Sequence, residues 1–146
     1  MISVSDFMTK DLVTLRESDD LALAESLLKL GGIRHLPVVR ERKLVGILTH
    51  RDVLRSGHSG KPAARALPVS DVMTRAPTSV RPATGLAQAA RLMLERKYGC
   101  LPVCEEDGTL VGIVTEADFV RFAADVVRDL DLMAEAVRTR ERTGDA

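Results

Sequence analysis

An internal repeat constrains this chain more than any other feature of its sequence. The segment Ser5–Thr9 (SDFMT) returns 65 positions later as Ser70–Thr74 (SDVMT). The segment Leu44–Asp52 (LVGILTHRD) returns 66 positions later as Leu110–Asp118 (LVGIVTEAD), because one residue is inserted in a polar turn. The tripeptide Leu-Pro-Val also occurs twice, in the same relative place. Matches in one order indicate a duplication, so both copies should adopt the same fold.

Apolar spacing and capping residues divide each copy into short elements. The first copy is predicted to hold a strand at Leu12–Leu15, a helix capped by Asp19 and ended by Gly31-Gly32, strands at His35–Val39 and Lys43–Leu48, and a helix at His50–Arg55 capped by Thr49. The second copy has the same order, with Thr84 as its first cap. The predicted fold class is α+β, with two β-α-β-β-α repeats. One copy is too small to bury a good core alone, so the two should pack with approximate twofold symmetry around a cleft.

The predicted boundaries follow the duplication. The first repeat spans residues 1–58, a linker rich in Gly, Ala and Pro spans 59–68, and the second repeat spans 69–121. Residues 122–146 are predicted to form an amphipathic helix, running to about Arg140, and a frayed tail.

The doubled pattern Ser-Asp-x-Met-Thr, φ-Pro-Val and Val-Gly-Ile-φ-Thr-x-x-Asp (φ apolar) resembles a pair of cystathionine-β-synthase (CBS) domains, called a Bateman module. The resemblance covers residues 1 to about 121. It implies a regulatory, energy-sensing role, with an adenosine ligand such as AMP, ADP, ATP or S-adenosylmethionine in the cleft and no required cofactor. It also implies a homodimer whose state is read by an unknown protein partner in trans.

Within the resemblance, the Thr-x-x-Asp motif is the part that implies specific ligand contacts. In the family its aspartate contacts ribose, which implies this role for Asp52 and Asp118, with Thr49 and Thr115 beside them. A helix N-terminus also offers free N–H groups to an anion. The alternative is a plain helix cap, in which the threonine caps and the aspartate favours the helix dipole.

Basic residues surround only the first motif in the sequence. They are Arg34, His35, His50 and Arg51, whose counterparts in the second copy are neutral or acidic. In nucleotide-binding relatives, basic residues at the first of these places reach the phosphates, and arginine can bind them bidentately. The hypothesis is that a nucleotide binds at Asp52 with its phosphates on Arg34 and His35. The Asp118 site would then be empty, weaker or filled by a less charged adenosine compound.

Four further residues complete the candidate site. Tyr98, followed by Gly99, could cover an adenine ring or pack beside Pro102, while Pro37 and Pro102 are expected to shape the pocket wall. The basic residues could instead face solvent or bond within the fold.

Beyond the repeat, apolar residues continue at three- and four-residue steps. They are Phe119, Phe122, Ala123, Val126, Val127, Leu130, Met133, Ala134 and Val137. The spacing predicts one apolar face on a long helix. This face could pack on its own module, form a dimer contact or dock a partner.

Composition and motifs exclude several other functions. Equal numbers of basic and acidic residues, 21 of each, argue against a nucleic-acid binder. No apolar run is long enough to span a membrane, and the absence of a signal peptide favours the cytoplasm. Cys100 and Cys104, in C-x3-C spacing, are expected to be reduced thiols rather than zinc ligands. No catalytic residue, metal site or phosphate loop is recognised, so an enzyme is not expected.

Overall fold

The computed structural model describes residues 1–57 and 62–144 and contains both repeats. Its elements, in chain order, are β1 (Leu15–Arg16), α1 (Leu21–Gly31), β2 (His35–Arg40), β3 (Lys43–Thr49), α2 (His50–Gly57), α3 (Pro62–Arg65), β4 (Thr74–Arg75), α4 (Leu86–Arg96), β5 (Cys100–Cys104), β6 (Leu110–Thr115) and α5 (Glu116–Thr143). Residues 1–114 form one compact unit, and the chain from Thr115 onward forms a second unit.

The sheets of the two repeats follow one plan. In the first repeat, β1 pairs in parallel with β2, β2 pairs antiparallel with β3, and β3 pairs antiparallel with β4. In the second repeat, β5 and β6 form the central pair. A parallel bridge between Val80 and Val103 and an antiparallel bridge between Thr9 and Ile113 occupy the places of β1 and β4. The predicted α+β repeat is therefore confirmed.

The first residues of the chain complete the second repeat, not the first. Val4 donates its N–H to the carbonyl of Thr84 at 2.8 Å. Thr9 and Ile113 exchange two backbone hydrogen bonds of 2.9 and 3.0 Å. The opening segment of the first copy thus adds a strand position to β6.

The equivalent segment of the second copy completes the first repeat in the same way. Val69 donates its N–H to the carbonyl of Asp19 at 2.7 Å. Thr74 and Arg75 of β4 lie opposite Ile47 and Gly46 of β3. The opening segment of each copy thus pairs with the sheet of the other copy. Because both copies do this, the two repeats pack with pseudo-twofold symmetry within residues 1–114.

This exchange of opening segments explains why a methionine and a glycine occur in both copies of the duplicated motifs. A Cβ atom on Gly46 would collide with the side chain of Met73, whose Cγ would lie only 2.9 Å away. A Cβ atom on Gly112 would collide with Met8 in the same manner, with Cγ at 2.8 Å. Each methionine therefore lies directly on the glycine of the other repeat.

The predicted caps of the first helix in each copy are wrong by one residue. Asp20 is the N-cap of α1, because its carboxylate accepts the N–H of Leu23 at 2.9 Å. Asp19 instead accepts the N–H of Arg16 at 2.7 Å and stabilises the turn after β1.

In the second copy, Gly85 is the N-cap of α4. The hydroxyl of Thr84 accepts the N–H of Arg81 at 3.1 Å, as Asp19 does for Arg16. Asp19 and Thr84, the predicted caps, therefore each stabilise the turn that precedes the true N-cap residue.

Strand β1 is also shorter than predicted and lies at Leu15–Arg16, not Leu12–Leu15. Leu15 is opposite Val38 in the parallel pair. The residue before Val38 is Pro37, which has no N–H to donate, so the hydrogen-bond ladder cannot extend toward Leu12.

The predicted linker contains ordered structure. Residues 58–61, which include its start, lie outside the described residues, but Pro62–Arg65 forms the short helix α3. Leu67 then accepts a backbone hydrogen bond from Leu21 at 3.0 Å. The end of the linker is thus attached to the first repeat.

Helix α5 has 28 residues and continues past the predicted end near Arg140 to Thr143. Arg140–Arg142 are good helix formers, and the chain first adopts a left-handed conformation at Gly144, with φ of 73°. The part of the predicted tail at residues 145–146 lies outside the described residues.

Candidate functional site

The predicted residues of the first copy converge at one end of the β2–β3 hairpin. His35, at the start of β2, lies opposite Thr49, at the end of β3. His50, at the start of α2, donates its N–H to the carbonyl of Arg34 at 2.8 Å. Four of the predicted contacts therefore come from two adjacent strand ends and one helix start.

Asp52 is oriented by a reciprocal pair of hydrogen bonds with Thr49. The Thr49 N–H donates to Asp52 Oδ2 at 2.9 Å, and the Asp52 N–H donates to Thr49 Oγ1 at 3.2 Å. Both bonds are those of a helix cap. Among the described residues, no hydrogen-bond donor is recorded on the other carboxylate oxygen of Asp52, Oδ1. The cap therefore fixes the orientation of the Asp52 carboxylate at the start of α2.

Asp118 has the same cap but a further partner. The Thr115 N–H donates to Asp118 Oδ2 at 2.8 Å, and Asp118 N–H returns a long bond of 3.4 Å to Thr115 Oγ1. The guanidinium of Arg121 donates to the second oxygen, Oδ1. Both carboxylate oxygens of Asp118 are therefore occupied, and its side chain is only 8% exposed.

The second-copy counterparts of the four basic residues are neutral or acidic, but Arg121, which is not one of these counterparts, is bonded to Asp118. Arg121 lies one helical turn after Asp118, and residues three apart on a helix are neighbours. That spacing was visible in the sequence. Arg55 holds the same relation to Asp52, but no ion pair between these two is recorded among the described residues.

The second repeat approaches the first-copy cluster at Gly99. A Cβ atom on Gly99 would lie 2.8 Å from Nε2 of His35, so the imidazole rests against the glycine backbone. Gly99 stands in the second copy where Arg34 stands in the first, 65 positions apart. Two of the predicted site residues, one from each repeat, are therefore in contact across the pseudo-twofold relation.

Tyr98 is bonded to a residue of the same repeat, and the two prolines lie inside their strands. The Tyr98 hydroxyl forms a hydrogen bond of 3.0 Å with Thr78 Oγ1, a contact that sequence reasoning did not consider. Pro37 and Pro102 are fully buried within β2 and β5. Both prolines are interior residues of their strands, and their side chains are not accessible to solvent.

The remaining two basic candidates, His50 and Arg51, lie exposed at the start of α2, and Arg34 is exposed just before β2. His35 is half-buried. This arrangement gives one end of the hairpin an exposed positive charge beside the Asp52 carboxylate.

A depression of about 470 Å³ lies elsewhere, on the second repeat. Its lining is Ser79, Val80, Arg81, Thr84, Gln88, Ala89, Arg91, Leu92 and Glu95. No residue of the predicted site is among them.

The thiols are poorly suited to nucleophilic chemistry at neutral pH. Burial raises the pKa of Cys100 to about 12. Burial also raises the pKa of Cys104, against opposing effects of a hydrogen bond from Ser79 and the charge of Arg81. Among residues 1–57 and 62–144, no group of His, Cys, Asp and Glu could hold a metal ion, and no helix is long and apolar enough to cross a membrane.

Comparison with known proteins gives a consistent result. The CBS domain model matches residues 4–59 and 69–125. The crystal structure of a putative acetoin utilization protein, AcuB, from Vibrio cholerae is 40% identical, with a TM-score of 0.81 over 92% of this chain and 97% of that one. The crystal structure of CBSX2 in complex with AMP is 35% identical, with a TM-score of 0.77 over 86% of this chain and 98% of that one.

A curated relative, the inosine-5'-monophosphate dehydrogenase of Korarchaeum cryptofilum, is 38% identical over 77% of this chain. The chain spans only 22% of the length of that enzyme. The similarity therefore concerns one part of a much longer protein.

Proposed function

The chain belongs to the CBS-domain family and carries two copies of the domain, and from this premise we propose that it is a regulatory module for an adenosine nucleotide. AMP, ADP or ATP binds beside Asp52, where the two repeats meet. Asp52 accepts hydrogen bonds from the ribose hydroxyls, and Arg34 and His35 hold the phosphates. The AMP complex of CBSX2, a protein 35% identical to this chain, supports this class of ligand.

The convergence of Arg34, His35, Thr49 and Asp52 is the observation that carries the proposal. A nucleotide needs acceptors for its ribose hydroxyls and cations for its phosphates, and the end of the β2–β3 hairpin supplies both. Asp52 is held in place by Thr49 before any ligand arrives, so little ordering is needed at the ribose.

The geometry of the second motif supports a single strong site. Arg121 donates to one carboxylate oxygen of Asp118, whereas within residues 1–57 and 62–144 no donor to the matching oxygen of Asp52 is found. A ribose at Asp118 would first have to displace this guanidinium. Glu116 and Ala117 also replace His50 and Arg51, so the phosphate charge would be less well compensated there.

The output of this module is a change in the population of its conformations. A ligand that binds where the repeats meet favours the conformation that binds it better, in proportion to the difference in affinity. A protein partner in trans then responds to that conformation.

Calorimetric titration with AMP, ADP, ATP, S-adenosylmethionine and adenosine tests the proposal. We expect a phosphate-bearing nucleotide to bind with one site per chain and Asp52→Asn to weaken it at least tenfold. Asn at position 52 can still accept the Thr49 N–H, so the cap is retained. Asp118→Asn is the matched control and should change the affinity less than twofold. Equal losses in both variants, or no heat with any ligand, would refute the assignment.

A second candidate function is an interaction module that needs no ligand and acts through its C-terminal helix. The apolar face exposed on α5 favours it. This alternative predicts no binding in the same titrations and no effect of substitutions at Arg34 or Asp52 on association.

A further inference from the structure

The depression of about 470 Å³ on the second repeat lies along α4, beside residues 79–84. Its volume is within the range of about 300–1,000 Å³ that pockets for small molecules occupy. Buried Val80 and Ala89 supply apolar surface, and the exposed lining residues include two arginines. The nucleotide proposed at Asp52 uses none of these residues.

The duplication allows lining residues of α4 to be compared with the residues 65 positions earlier. Three exposed positions on this helix differ in chemistry between the copies. The pairs are Leu23 and Gln88, Ser26 and Arg91, and Leu30 and Glu95. Two apolar side chains and one hydroxyl in the first copy thus correspond to an amide, a guanidinium and a carboxylate in the second. Only the second copy therefore has groups here that could hold a charged ligand.

Arg81 lacks the carboxylate partner that its counterpart has. In the first repeat, Arg16 Nε lies 4.0 Å from Asp19 Oδ1, and the same carboxylate accepts the Arg16 N–H at 2.7 Å. In the second repeat, Thr84 stands at the place of Asp19 and accepts the Arg81 N–H at 3.1 Å. A hydroxyl carries no charge, and within the described part of the chain no carboxylate pairs with the guanidinium of Arg81.

Arg91 adds a second guanidinium to the lining. Glu95 follows it by one helical turn, but across residues 1–57 and 62–144 no ion pair of Arg91 with Glu95 or any other acid is found. The lining therefore has two positive side chains and one negative side chain. Arginine binds phosphate oxygens bidentately, and two arginines can share the charge of one phosphate group.

We propose that this depression binds a small phosphate monoester that carries hydroxyl groups. Arg81 and Arg91 hold the phosphate group, and the oxygens of Gln88 and Glu95 accept hydrogen bonds from the hydroxyls of the organic part. The proposal is independent of the nucleotide site, because none of these residues belongs to the Asp52 cluster.

An NMR titration of the isotope-labelled whole chain tests the site, with glucose 6-phosphate, inorganic phosphate and glucose as probes. We expect glucose 6-phosphate to shift the amide resonances of Val80 and Gln88 to saturation. Inorganic phosphate should shift the same resonances with at least threefold weaker affinity, and glucose should shift neither. Equal affinities for the two phosphates would overturn the role of Gln88 and Glu95. Shifts confined to Thr49 and Asp52 would overturn the site itself.

Arg91→Gln tests the phosphate contact. It should weaken glucose 6-phosphate binding at least about tenfold, because hydrogen bonds to charged groups are the strong ones. Arg96→Gln is the matched control, since it removes the same charge from α4 about 140° around the helix and outside the depression. It should change the affinity less than twofold at the same ionic strength. Equal losses in both variants would show a general effect of charge and overturn the contact.

Thr84→Asp tests the comparison between the copies. The new carboxylate can still accept the Arg81 N–H, as Asp19 does for Arg16, and it would pair with the Arg81 guanidinium. We expect this variant to remain folded in thermal unfolding and to bind glucose 6-phosphate at least about tenfold more weakly. Thr84→Asn keeps the acceptor without the charge and should bind at least fivefold more tightly than Thr84→Asp. Equal binding by these two variants would overturn the assignment of Arg81.

Discussion

At the scale of single residues, Gly46 and Gly112 have the same role in the two repeats. Each lies under a methionine that belongs to the opening segment of the other repeat. Met73 is buried, so its side chain has little room to move away from a new atom at position 46. The glycines therefore permit the close contact by which the repeats hold each other.

Gly46→Ala is expected to destabilise the protein by about 1–3 kcal/mol, the usual cost of forcing an extra carbon into a packed core. The new Cβ would meet the Met73 side chain and also lie 3.0 Å from the backbone oxygen of Thr74. Denaturant unfolding measures the effect. Gly31→Ala is the control, because its nearest neighbour would be Ile33 Cγ1 at 3.4 Å, an ordinary contact at the end of a helix. Equal destabilisation by both changes would contradict this interpretation.

Residue-level prediction from the sequence succeeded where the chemistry is local. The Thr49–Asp52 hydrogen bonds follow from a threonine at a helix start and a carboxylate three residues later. The cap of α1 was missed because Asp19 and Asp20 are both good caps, and only the turn at Arg16 decides between them. The contact of His35 with Gly99 could not be predicted, because it joins residues from different repeats.

At the scale of elements, the exchange of opening segments is the feature that periodicity cannot reveal. The duplication predicts two sets of strands and helices in the same order, and the structure confirms this order. It does not determine which copy a segment pairs with, because the motif Ser-Asp-x-Met-Thr fits both repeats equally well. That choice depends on the geometry of the chain between the copies, including α3 and the end of the linker.

Removal of residues 1–9 should therefore increase local opening in the second repeat and affect the first only through the shared unfolding of residues 1–114. The hydrogen bonds from Val4 to Thr84 and between Thr9 and Ile113 would be lost. Hydrogen exchange should show faster exchange at Ile113 and at the start of α4. Ile47, which pairs with Thr74, should exchange faster only to the extent that global unfolding becomes easier, and it serves as the internal control. Faster exchange confined to the first repeat would show that the segment supports its own copy.

At the scale of the whole molecule, residues 1–114 should unfold as one cooperative unit. Each repeat depends on the other for the segment that pairs with the edge of its sheet. It also depends on the other for backbone hydrogen bonds at the start of its first helix. Independent unfolding of one repeat would expose the glycine contacts of both. Cooperativity of this kind also lets a ligand at one end of the first repeat affect the second.

Scanning calorimetry should therefore show one transition for residues 1–114 with and without nucleotide. Ligand at about 100 times its dissociation constant adds about 2.7 kcal/mol to the stability of the native state. For a chain of this size the whole transition should then move up by roughly 5–10 °C. Asp52→Asn, with an affinity at least tenfold weaker, should remove at least about half of this shift at the same ligand concentration, and Asp118→Asn should keep it. Two transitions, of which only one moves with nucleotide, would mean that the repeats unfold separately and that the exchanged segments do not couple them.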